Sequence, residues 1–397
     1  MTATLDPPFE PMAQFSGVAG DVRDPYPDFH AMRTETPVVE LPDGSFEVFP
    51  YDLVAAVMRD NVTFCSGSIR ELMSVVMGPY PLVGMDEPEH RRLRSLVAQA
   101  FRQRMLAHWD EDLVVPVVDG MIDNFAERGQ AELVDEFTYR YPVQVIAEIL
   151  GLSREDHEYF HPRALAVINV AVRPDEGIAA SNELRDYFEN VVNERRANPG
   201  DDLISELVQA ELDGETLGDE EIFSFLRLLL PAGAETTYRA TGSFIYGLLT
   251  NPDQLDALRA DRSLMPQAIE ESIRWESPLL ITSRECARET VLAGVPISEG
   301  SLMVTNVGAA NHDPTRWDHP DDFDIFRPAQ PHIAFGVGVH MCLGMHLARM
   351  EMASAMNRLL DRCPNLRPDP DRWDADDVHI HGERFRSPTT LPVVWDA

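Results

Sequence analysis

The 397-residue chain contains no lysine at all. Its 33 basic side chains are all arginines, so every ion pair and every anion site must be built from guanidinium groups. Positive charge is scarce as well. Against 67 aspartates and glutamates the net charge is −34, which argues against a nucleic-acid partner, because such a partner needs a basic surface to replace phosphate counterions. Cysteine is limited to Cys65, Cys286, Cys342 and Cys363, without paired spacing, so neither a disulfide framework nor a Cys-x-x-Cys zinc site is expected. No uncharged apolar run is long enough to span a bilayer, and the opening stretch "MTATLDPPFEPMAQFSG" has neither a basic nor an apolar leader segment. The expectation is a soluble, cytoplasmic protein without repeats, low-complexity tracts or a clear linker.

With 44% hydrophobic residues the chain can bury a substantial core, and its dominant periodicity is helical. Strand signals lie at the edges of that pattern. "PVVELPDGSFEVF" (37–49) alternates around the turn pair Asp43-Gly44, "TVLAGVPISEGSLMVTNV" (290–307) has short β-rich runs, and "VHIHGERFRSPTTLPVVW" closes the chain. Helix starts are expected at a capping box of Asp86 with Glu89, and at Asn251 followed by Pro252. A single long helix is expected from Asp219 to Thr250. The expected architecture is mainly α with minor β, in one domain over 1–397, with residues 1–20 as a flexible N-terminal segment.

One cysteine stands in an unusual setting. In "AFGVGVHMCLG" (334–344) Cys342 follows a glycine-rich run and precedes Leu347, Met350, Ala353, Met356 and Leu360, spaced as one face of a helix. Helix N-terminal amides favour a thiolate, the form that ligates iron, and Gly336, Gly338 and Gly344 allow the backbone to bend around it. Cys65, Cys286 and Cys363 have no such surroundings and are expected to be inert packed thiols.

The pattern F-x-x-G-x-x-x-C-x-G, formed by Phe335, Gly338, Cys342 and Gly344, resembles the cytochrome P-450 family, and "HIAFGVGVHMCLGMHLAR" is similar to its soluble bacterial members. Three further motifs follow the family's order from about residue 80 to the end. The resemblance implies a single-domain cytochrome P-450 fold, with a long central helix over the haem and small peripheral sheets. It implies haem b held by Cys342, with Phe335 and Gly336 in the loop against it. "IEESIRWESP" carries an E-x-x-R pair, Glu271 and Arg274, whose implied partner in a structural cluster is Arg327 in "FDIFRP". "AGAETT" resembles the oxygen-activation motif, with Glu235 as acid and Thr236 as alcohol. Pro231 departs from the usual aliphatic residue there, and Pro231 and Gly233 both weaken the helical hydrogen-bond ladder. Arg239 lies one turn after Glu235, so a plain i, i+4 ion pair is the competing account of that carboxylate. His90 and Arg94 in "DEPEHRRLR", Arg284 in "ITSRECARE" and His340 match the family's haem-propionate contacts.

The implied reaction inserts one atom of dioxygen into an organic substrate and releases the other as water. Its electrons are expected from a ferredoxin and its reductase, docked where Arg91, Arg92, Arg102, Arg104 and Arg349 form a local basic patch. The pocket walls implied are the segment after residue 66, residues 165 to 173, Leu279, Leu280, Ile281 and Thr282, and Phe385. These stretches suit an apolar small molecule such as a terpenoid, steroid or fatty compound, while Arg239 or Arg386 could anchor a carboxylate instead. A monomer is expected. Two other activities stay open: a hydrogen-peroxide-driven peroxygenase, which normally lacks the acid–alcohol pair, and a non-catalytic haem sensor.

Overall fold

The architecture is organised around one rod. In the computed structural model, which describes residues 22–101, 108–170 and 173–396, helix Asp219–Leu230 runs through the π-turn Pro231–Glu235 into helix Thr236–Thr250. At about 1.5 Å per residue the rod spans roughly 48 Å. Its start is secured by the Gly218 amide, which donates to Glu221 Oε2 over 2.8 Å, and by the acids Asp219, Glu220 and Glu221 in the first turn. The interruption has a local cause. Pro231 brings no N–H, so the ladder loses a donor at this point and slips into the wider π form.

The main core packs around this rod. Phe244, Ile245 and Leu248 belong to the half of the rod that packs on helix Met345–Arg362, and they share one core with its Met352, Ala355, Met356 and Leu359 and with Phe223 and Leu226 of the first half, each fully or almost fully buried. Side chains of this kind contribute about 1.5–3 kcal/mol each. A second core lies under a five-stranded sheet whose spatial order is Val38–Glu40, Phe46–Val48, Leu302–Asn306, Ile281–Cys286 and Phe64–Cys65. Helix Tyr51–Arg59 covers it with Val54, Val57 and Met58. The remaining sheets are small, as in Ile380–His381 paired with Ser387–Pro388.

The Asp43-Gly44 hairpin forms as expected: Val38–Glu40 pairs antiparallel with Phe46–Val48, and Gly44 takes φ +83°. The run 290–307 divides into a hairpin, Thr290–Leu292 with Val295–Ile297, and the sheet strand Leu302–Asn306. Two expected caps are not made. Asp86 accepts from the Ser66 amide at 2.9 Å, and helix Glu89–Val97 begins after Pro88 without a side-chain cap. Asn251 precedes helix Pro252–Ala260 but donates back to Gly247 O at 2.8 Å, closing the previous helix rather than opening the next. Residues 1–20, called flexible from the sequence, lie outside the described residues, as do 171 and 172 in the expected pocket segment. Among the described residues no helix is long and apolar enough to cross a membrane.

Candidate active site

Cys342 sits two residues ahead of Gly344, the residue that caps helix Met345–Arg362. Its own amide donates to Phe335 O over 2.7 Å, which closes the loop on itself. Gly336 and Gly338 take φ of +69° and +80°, and a Cβ on Gly338 would lie 2.7 Å from Met58 O, so the turn and the close approach both need glycine. Gly344 has an ordinary φ of −85°; its contribution is its amide, aimed at the Cys342 sulfur. The thiol is accessible yet closely surrounded. Its crowded surroundings push its pKa up, against the Gly344 amide, Arg94 and Arg349, which pull it down. Enclosure therefore outweighs the helix terminus, and the free thiol is neutral.

Arg349, expected in a basic docking patch, lies against this loop instead. Its guanidinium stacks over the half-buried Phe335 ring, 4.6 Å from the centroid, and pairs with Glu270 at 2.8 Å. Arg92 is held by Glu215 and Glu221, and Arg91 by Glu87 at 2.9 Å. Acidic partners thus neutralise the three described arginines of the patch; Arg102 and Arg104 lie outside the described residues.

Beside the loop four basic side chains converge, and none of them is hydrogen-bonded to a carboxylate among the described residues. His90 and Arg94 project from one face of helix Glu89–Val97, and the His90 and His340 rings lie 4.2 Å apart. Arg284 enters from strand Ile281–Cys286 and donates to Ser283 O at 2.7 Å. Ser66 Oγ and His340 Nε2 share a hydrogen bond of 3.0 Å, and Arg94 donates to Met341 O. His90 is buried with both ring nitrogens unpartnered; Glu87 comes no nearer than 3.7 Å. Burial and mutual repulsion hold the His340 pKa down at about 3, with Arg284, His90 and Arg94 contributing. The His90, Arg94 and Arg284 pKa values are lowered too, burial being the largest cause.

On the rod, Glu235 and Thr236 stand at the end of the π-turn. Thr236 is half-buried and its hydroxyl donates to Ala232 O at 2.9 Å, replacing a backbone donor. Glu235 is 5% exposed, and burial pushes its pKa up to about 7 against the pull of Arg239 and Arg384. Arg239 Nε approaches Glu235 Oε1 at 3.4 Å, so the i, i+4 pair exists, but neither atom makes a hydrogen bond.

The E-x-x-R pair is fully joined. Glu271 gives both oxygens to Arg274 at 2.8 Å and accepts from Arg327 at 3.1 Å, all three being largely buried. Carbonyls of Asn311, Pro320 and Asp322 take the other Arg274 donors.

Of the expected pocket residues, Leu279 and Ile281 are half-buried, and Leu279 bridges to Phe385. Leu280 is fully buried over Gly308, where a Cβ would lie 2.3 Å from Leu280 Cδ2; it backs the wall and offers no surface to a ligand. Arg386 is also withdrawn. Glu276 binds it at 2.8 Å and the carbonyls of Val22, Arg23 and Gly382 complete its shell, so it cannot anchor a substrate. Sequence reading passed over Ser66, whose partner His340 comes from a distant segment, and Arg384, which nears Glu235 only in the fold; neither leaves a local pattern.

A model of the family described as cytochrome P450 matches residues 42–378. The chain belongs to the cytochrome P450 family. Cytochrome P450 107B1 of Saccharopolyspora erythraea is 39% identical over 75% of this chain and 74% of its own length. The cytochrome P450 monooxygenase PikC of Streptomyces venezuelae is 33% identical over 94% of this chain and 91% of its own. The crystal structure of CYP109E1 from Bacillus megaterium in complex with testosterone superposes with a TM-score of 0.87 at 30% identity, covering 94% of this chain and all of that one. The protein is thus a haem-thiolate monooxygenase whose cofactor is haem b. Its own residues fit that group: an enclosed thiol with an amide aimed at it, and a cluster of basic groups with two unpartnered ring nitrogens that suits a pair of carboxylates.

Proposed function

We propose that this P450 hydroxylates or epoxidises a small organic molecule with an apolar body, in the cytoplasm and as a monomer, with electrons from a ferredoxin served by its reductase. The observation that carries the oxygenase assignment is the break in the central rod beside a carboxyl held near neutrality. Cys342 would ligate the iron, and His90, Arg94, Arg284 and His340 would hold the propionates, with Phe335 and Gly336 in the loop beneath. A cysteinate-ligated haem supplies the activation of dioxygen.

The chain's part is to move protons and exclude water. With a pKa of about 7, Glu235 both accepts and gives a proton at neutral pH, which is the condition for efficient acid–base work. The Thr236 hydroxyl, already oriented by Ala232 O, passes that proton on at its oxygen. Leu279, Ile281 and Phe385 present the apolar wall. The Glu271–Arg274–Arg327 cluster holds the segment carrying the cysteine loop. Of the arginines expected at the ferredoxin contact, Arg91, Arg92 and Arg349 are each paired with an acid of the chain. A peroxygenase has no need of Glu235 and Thr236.

Thr236→Ala tests the reading. Folding is expected to survive, because helices accept alanine at least as well as threonine. Electron uptake should persist while product formed per NADPH falls several-fold and hydrogen peroxide takes up the difference. Unchanged coupling would contradict the proton role.

A further inference from the structure

The hairpin Ile380–His381 and Ser387–Pro388 lies against the central rod. Arg239 Nη1 donates to Ser387 Oγ over 3.0 Å, and its guanidinium stands 5.5 Å from the Phe385 ring centroid. Two arginines project from this hairpin, and they are treated differently. Arg386 is fully paired by Glu276 and three carbonyls. Arg384 is exposed, and its side chain makes no hydrogen bond or ion pair with any described residue.

Arg384 stands at the rim of a recess beside the rod: its chain neighbour Phe385 lies 5.5 Å from the Arg239 guanidinium, and burial lowers the Arg384 pKa while the Glu235 carboxyl raises it. The same recess holds unmet polar atoms: Glu235 Oε1, Arg239 Nε and Arg239 Nη2 are all buried without a hydrogen-bond partner, on side chains 5% and 3% exposed. Two guanidiniums therefore face one carboxyl. The nearby phenols of Tyr139 and Tyr238 cannot balance the excess, since burial keeps both protonated. Arg384 also adjoins the apolar wall, because its carbonyl accepts from the Leu280 amide at 2.8 Å and Phe385 bridges to Leu279.

We propose that this recess is a carboxylate subsite of the substrate pocket, in which Arg384, backed by Arg239, takes the acid group of a monocarboxylic substrate whose apolar body lies along Leu279, Ile281 and Phe385. The assignment deepens the monooxygenase reading and rests on it: the substrate class is organic acids rather than neutral terpenoids or steroids. A guanidinium suits the task because its fork matches a carboxylate's two oxygens.

The test uses haem-loaded protein and three pairs of probes, octanoate, dodecanoate and cyclohexanecarboxylate, each beside its methyl ester. Binding is measured by calorimetry and by the Soret shift. In wild type at least one acid should bind about 10- to 100-fold more tightly than its ester, the range of a charge-assisted hydrogen bond. Arg384→Gln should abolish that preference and Arg384→Lys should keep part of it. Because the Arg384 side chain holds no other residue, both variants are expected to fold. No preference in any pair, whether both members bind or neither does, overturns the subsite, as does a preference that survives in Arg384→Gln. The ferrous carbonyl spectrum is recorded on the same samples. A normal spectrum without a preference removes the subsite alone, whereas a calorimetric preference without that spectrum upholds the subsite and removes the oxygenase reading.

Discussion

Two groups of arginines are drawn inward in this molecule, and they differ in what answers them. Around Glu271 every charge is met: Arg274 and Arg327 share one carboxylate, and backbone carbonyls take their remaining donors. Around His90 the one carboxylate in reach, Glu87, stands 3.7 Å away and makes no hydrogen bond with the ring. Arg94, Arg284 and His340 reach only a carbonyl or a hydroxyl, the His90 ring hydrogen-bonds to nothing, and all four have lowered pKa values. A buried charge that is matched inside the chain is scaffold. One that is left unmatched costs stability and persists where a ligand of opposite charge completes it.

The comparison breaks most forcibly at Glu271. Glu271→Ala would strand two guanidiniums in a low-dielectric site, a loss of about 3–5 kcal/mol. Urea unfolding should show it as a lower midpoint with little haem-loaded soluble protein; a normal midpoint would mean the cluster is dispensable.

His340 gives a smaller effect of opposite character. Its pKa is about 3 in the fold against about 6.5 unfolded. Between those values the unfolded chain takes up a proton that the folded chain refuses, so stability falls as the pH is lowered through this window. Glu235 acts in the reverse sense, its raised pKa favouring the fold at lower pH, but it is common to both proteins in the comparison. In melts of the haem-free protein between pH 7 and pH 5, His340→Phe should lose less stability than wild type, and haem binding should be weaker by about tenfold, as for a lost charge-assisted hydrogen bond. Equal pH slopes would mean that His340 is not the strained group. Smallest of all, Arg91→Ala removes an exposed i, i+4 pair with Glu87 and should cost no more than about 0.5 kcal/mol in the same unfolding assay.

What could be read from the sequence was local. The Asp43-Gly44 turn, the cysteine loop before a periodic helix and the proline inside the rod each declare themselves within a few residues, because one backbone constraint dictates them. The side-chain duties of Asp86 and Asn251 were misread because each meets a competing backbone group: the Ser66 amide, which tertiary packing brings to Asp86, and the Gly247 carbonyl, one turn back from Asn251 in the preceding helix. Two arginines of the expected basic patch are paired off by contacts just as hard to read. Arg92 and Arg349 find acids 129 and 79 residues away, which no window along the chain reveals. Arg386 looked like a free anchor until Glu276 met it, while Arg384, two residues earlier in the chain, is the one left without a partner.

The central claim, that Cys342 holds the iron, is tested most directly by the ferrous carbonyl spectrum of four single variants. Cys65→Ser, Cys286→Ala and Cys363→Ala should retain the strongly red-shifted Soret band of a thiolate-ligated haem, since these thiols lie outside the loop. Cys342→His should lose that band while still taking up haem, because imidazole ligates iron without the thiolate's electron donation. A Cys342→His protein that keeps the red-shifted band would contradict the account.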